Sequence, residues 1–83
     1  MSMEQTNTLD VKGQNCPMPV VKTKAAFDEL DEAETLEVLA TDPGSMNDIE
    51  GWAASTDGAE LVEQVETTGG DGTVYKHYIR KAE

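Results

Sequence analysis

The chain has a single cysteine, Cys16, and it stands directly before a proline pair in Cys16-Pro17-Met18-Pro19. Pro17 suits the first position of a helix, where its absent N–H would have had no partner and its φ is already helical. Pro19 falls in the same first turn, where proline is still tolerated. Together they fix where a helix begins and set Cys16 at or beside its N-cap. Met18 and Val20 keep their N–H groups, and the first amides of a helix have no partner inside it. Aimed at the sulfur, and backed by the positive end of the helix dipole, those amides favour thiolate over thiol.

Charge placement agrees with an activated sulfur. Residues 11–27 contain Lys12, Lys22 and Lys24 and no acid, a local +3 in a chain of net charge -11. The bland alternative is three solvated lysines around a small buried hydrophobe. A buried structural cysteine, however, does not need a proline-defined helix start. A hydrolase would need a base, and His77 is the only histidine. Its neighbours Tyr75, Lys76 and Tyr78 make it read as an edge or surface residue of a strand. One cysteine allows no internal disulfide and no thiolate-rich zinc site, so neither metal nor cofactor is expected. A nucleophile without base, pocket or resolving thiol has the chemistry of a carrier, which accepts a group from one protein and hands it to another.

Six elements must position this group. Thr8 to Val11 reads as a short strand stopped by Lys12-Gly13, with Gln14-Asn15 continuing the loop. A helix follows from Pro17 to about Leu30, with Val20, Thr23, Phe27 and Leu30 on one stripe and Ala26 beside it. Leu36, Val38 and Ala40 alternate with Glu37, Leu39 and Thr41 as a strand. Asp42-Pro43-Gly44 punctuates the chain before a second helix, Ser45 to Ser55, with Ser45 as its N-cap and Asp48 and Glu50 at its positive end. Ala59 to Thr68 and Thr73 to Lys81 read as a hairpin joined by Gly69-Gly70-Asp71-Gly72. The order β-α-β-α-β-β packs most economically as an α+β two-layer sandwich, two helices on one face of a four-stranded mixed sheet. Phe27 and Trp52 are packing residues in this reading. Asp10 braces the loop before Cys16, and Asp42 organises the turn before the second helix.

The 83 residues suffice for one domain, with residues 1–7 as a flexible tail and 8–83 as the folded unit. A domain of this size buries a modest share of its surface, so chemistry belongs on the surface or in a shallow groove. Seventeen acidic against six basic residues repel phosphate backbones and anionic bilayers, which argues against nucleic-acid or membrane binding. The same balance suits a high-salt cytosol, where screening removes the self-repulsion. The polar stretch of residues 1–7 is no signal peptide, and no apolar run approaches a membrane span. A cytoplasmic protein is expected, in which the thiol stays reduced.

At these residues the chain resembles the TusA/SirA family of sulfur-carrier proteins. The similarity runs from Leu9-Asp10-Val11-Lys12-Gly13 through Cys16-Pro17-Met18-Pro19-Val20-Val21-Lys22-Thr23-Lys24 to Thr41-Asp42-Pro43 and the last strand. Gln14 stands where the family usually has Leu, which bears on how this loop packs or selects partners. The resemblance implies that Cys16 carries sulfur as a persulfide. It further implies loading by a cysteine desulfurase or other persulfide donor and delivery to a downstream acceptor protein, often towards tRNA thiolation. Pro17, Met18, Pro19, Val20, Asp10, Lys12, Lys22 and Lys24 would support that cysteine. Two other readings use the same surface: a non-covalent regulatory or protein-binding module, and a thiol redox sensor.

Overall fold

The computed structural model describes residues 6–15, 18–70 and 72–82. Its elements follow the expected order: β1 (Thr6–Asp10), α1 (Met18–Asp28), β2 (Thr35–Ala40), α2 (Ser45–Ala54), β3 (Ala59–Gly69) and β4 (Gly72–Lys81). The four strands form one mixed sheet in the order β1-β2-β4-β3. β1 and β2 are parallel, which a helical crossover such as α1 permits, and β4 runs antiparallel to both β2 and β3. The fold is the expected α+β sandwich. β1 begins two residues earlier than Thr8, because Thr6 and Asn7 already pair with Thr35 and Leu36. Cys16, Pro17 and Asp71 lie outside the described residues, so the assignment of Pro17 to the first helical position does too.

The core lies between sheet and helices. On β2 the period-2 pattern buries Leu36, Val38 and Ala40. Ile79 on β4, Ile49 and Ala53 on α2, and Phe27 and Leu30 from α1 and its end close over them. Val11, just beyond β1, is wholly buried and donates its N–H to the Leu39 carbonyl at 2.8 Å, extending the parallel pairing. Phe27 and Trp52 meet edge to face at 5.3 Å between centroids, so both are packing residues as read. Lys81 lies over the Phe27 ring and donates to the Leu30 carbonyl at 3.0 Å, tying the end of β4 to the end of α1. Among the described residues the opposite sheet face carries no helix. There Glu37 accepts from Thr8 Oγ1 at 2.9 Å and from the Tyr78 hydroxyl at 2.8 Å.

Two sequence readings need correction. His77 is neither at an edge nor on the surface: β4 lies between β2 and β3, and His77 is fully buried. Pairing opposite Val38 turns its side chain to the helix side, while Lys76 and Tyr78 take the other face. Ser45 is not the N-cap of α2. That position belongs to Gly44, which has no side-chain cap, and Ser45 is the first helical residue, buried with its hydroxyl against His77.

Candidate functional site

The loop that leads to Cys16 is held at the carboxyl ends of the two parallel strands. Asp10 closes β1 and accepts the Lys12 N–H on Oδ1 at 2.9 Å, an Asx turn that braces the loop as the sequence suggested. Gly13 takes a positive φ of 84°, which a side chain would resist. Its N–H donates to the Thr41 hydroxyl at 2.8 Å, joining this loop to the end of β2. Gln14 donates to the Val11 carbonyl at 3.2 Å, and Met18 donates to the Asn15 carbonyl at 2.9 Å. This last bond departs from expectation. The Met18 amide is engaged by the Asn15 carbonyl and so is not the free donor that the sequence suggested.

α1 opens with one residue turned in and two turned out. Pro19 is fully buried and anchors the first turn. Met18 and Val21 are exposed at 40% and 51%, an unusual degree for large apolar side chains three residues apart on one helix face. The three lysines have different surroundings. Lys12 pairs with Asp10 at 3.8 Å and Lys24 with Asp28 at 3.5 Å, both exposed pairs of small energetic worth. Lys22 makes no ion pair among the described residues and is the cation left for an incoming acidic group.

The turn into α2 lies beside this loop. Asp42 Oδ1 accepts the Gly44 N–H at 3.0 Å, and the Asp42 carbonyl accepts the Ser45 N–H at 2.9 Å, so Asp42 organises the turn as read. Thr41 was missed by sequence reasoning, since a lone threonine after a strand carries no signal of a distant partner. The same holds for the cluster under α2. Gln64 Nε2 reaches the Met46 carbonyl at 2.9 Å and His77 Nδ1 at 3.0 Å. An amide nitrogen only donates, so Nδ1 accepts and the ring is neutral with its proton on Nε2, donated to Ser45 Oγ at 3.1 Å. Burial pushes the His77 pKa down to about 4. The cluster ties the start of α2 to the hairpin, and both ring nitrogens of His77 are engaged within it.

A shallow groove of about 260 Å³ runs between β1 and α1, lined by Asn7, Leu9, Ala26, Glu29, Leu30 and Leu36 among others. It sits at the amino ends of β1 and β2, the far end of the sheet. No helix among the described residues is long and apolar enough to cross a membrane.

Comparison with known proteins covers the same span. The family described as Sulfurtransferase TusA matches residues 7–81. A putative sulfur carrier protein of Halobacterium salinarum is 68% identical over 76 residues, spanning 92% of this chain and 89% of that one. The sulfur carrier protein TusA of Allochromatium vinosum is 41% identical over 61 residues, spanning 74% of this chain and 79% of that one. Among solved structures, a SirA-like protein from Desulfitobacterium hafniense superposes with a TM-score of 0.66 at 27% identity, covering 92% of this chain and 97% of that chain.

Proposed function

The chain belongs to the TusA family of sulfur carrier proteins, and from that premise we propose that Cys16 is the residue that bears the sulfur. A carrier of this kind works between partner proteins that donate and receive sulfur. The observation that supports the proposal is that the chain's one cysteine precedes Pro17-Met18-Pro19 in sequence, directly ahead of α1, which begins at Met18. The Cys16 thiolate attacks the outer sulfur of a donor persulfide. The donor S–S bond breaks, a new bond forms to Sγ, and the donor cysteine leaves as thiolate, so no net oxidation occurs. The outer sulfur is anionic in its turn and is favoured by the Val20 N–H, the helix dipole and Lys22. Delivery repeats the exchange with the acceptor as nucleophile.

The donor is a cysteine desulfurase or another persulfide-bearing protein. The acceptor belongs to tRNA thiolation or a related branch of sulfur metabolism, in the cytoplasm, where the thiol stays reduced. Met18 and Val21 give such partners an apolar contact beside the sulfur, and Lys22 gives an acidic partner a charge to meet. The supporting residues divide accordingly. Asp10 and Lys12 shape the loop, Pro17 and Pro19 start the helix, and Lys24 adds to the local positive field.

Mass spectrometry after incubation with a cysteine desulfurase and free cysteine tests the proposal. A gain of one sulfur, absent in Cys16→Ser, is expected. Partner binding without any sulfur gain would make the chain a regulatory module, and oxygen adducts in place of sulfur would make it a redox sensor. Either outcome overturns the proposal.

A further inference from the structure

His77 is buried on a central strand and bonded at both ring nitrogens. A neutral imidazole so held costs more to assemble than an aliphatic side chain of the same volume, because each polar group must keep its partner. The bonds join three elements: His77 on β4, Gln64 on β3, and Ser45 with the Met46 carbonyl in the first turn of α2. Ser45 is also where the turn from β2 ends, since its N–H donates to the Asp42 carbonyl at 2.9 Å. One residue before Asp42 stands Thr41, whose hydroxyl accepts the Gly13 N–H at 2.8 Å. Gly13 holds a left-handed backbone, φ 84°, two residues before Asn15, whose carbonyl accepts the Met18 N–H.

We propose that His77 is a positioning residue for the Cys16 loop. By fixing Ser45 it fixes the start of α2. The five-residue turn Thr41 to Ser45, pinned at Ser45 and at the end of β2, then holds the Thr41 hydroxyl against the Gly13 amide. With Ser45 released, the turn relaxes and Thr41 no longer locks the loop. The proposal takes its functional meaning from Cys16 as the sulfur-bearing residue, but its geometric content stands apart from that reading.

The test compares His77→Leu, Ser45→Ala and His77→Gln with the parent chain, well below each variant's melting temperature. His77→Leu keeps the bulk but leaves Ser45 and Gln64 without their ring partners. Ser45→Ala keeps the imidazole and breaks only its bond to α2, so it decides the matter if His77→Leu does not fold. His77→Gln restores one donor and one acceptor. Hydrogen exchange at the Gly13 amide should quicken roughly fivefold to tenfold in the first two variants, as the loss of one hydrogen bond implies. Alkylation of Cys16 by iodoacetamide at neutral pH should change in the same two, and both readouts should return towards the parent in His77→Gln. A merely structural histidine would lower the melting temperature and leave Gly13 exchange and Cys16 alkylation unmoved; that result overturns the proposal. Because neither readout involves sulfur loading, a failure here is distinct from a failure of Cys16 to carry sulfur.

Discussion

A buried histidine makes acid stability a residue-level question. Unfolded His77 binds a proton below about pH 6.5, while in the folded chain burial holds its pKa at about 4. Between those values the unfolded state binds more protons, so stability falls as pH falls. The contribution is whole above about 6.5, declines through the interval, and below about 4 has been lost, some 3 kcal/mol in all. Urea unfolding of the parent and of His77→Gln at pH 7 and pH 4.5 should show a steeper loss in the parent. Parallel losses would mean that the ring is protonated in the folded chain. At this scale the sequence was readable where chemistry is local. Asp10 and Asp42 bond to backbone N–H groups two residues away, and Pro19 lies in the first turn of its own helix. His77, Gln64 and Thr41 were not readable, because each takes its partner from another element.

The elements were legible because glycine and proline separate them: Gly13, Pro43-Gly44, Gly58 and Gly69-Gly70 all fall at ends of regular structure. What escaped was register. β3 pairs Leu61 with Ile79, then Glu63 with Tyr78 and Gln64 with His77, leaving Val62 as an extra residue, 59% exposed. Alternation alone would have carried Glu63 to the position opposite His77, on the helix side of the sheet. The bulge sends Glu63 to the open face beside Tyr78 and brings Gln64 under α2 instead. An amide can then satisfy both the ring and the Met46 carbonyl, which a carboxylate cannot. Gln64→Glu should place a carboxylate against His77 and raise its pKa through the opposite charge. An NMR titration of the ring checks this. An unchanged titration would mean that the new carboxylate turns away from the ring.

For the whole molecule, charge dominates. A net -11 over 83 residues is carried by a sheet edge, a turn and helix faces that have few cations to meet them. Glu60 meets Arg80 at 3.4 Å, yet Glu63 and Glu66 on the same edge strand have no ion pair among the described residues. Self-repulsion of this kind weakens as the Debye length shrinks from about 10 Å at 0.1 M salt to about 3 Å at 1 M. The melting temperature should therefore rise on adding potassium chloride across that range. A flat or falling response would remove the salt-adapted reading of the composition. The same field leaves residues 11–27 as a positive island, so partners with acidic rims should associate faster at low salt.

The central claim is that sulfur arrives at, and departs from, Sγ of Cys16. A pulse and chase tests both halves together. The chain is loaded by a cysteine desulfurase with radiolabelled cysteine, freed of donor, digested in part for mapping, and the rest is offered an acceptor thiol. The account predicts label on the peptide that contains Cys16, its loss to the acceptor on chase, and none in Cys16→Ser. Label that never reaches that peptide, or that stays there after the chase, would contradict it.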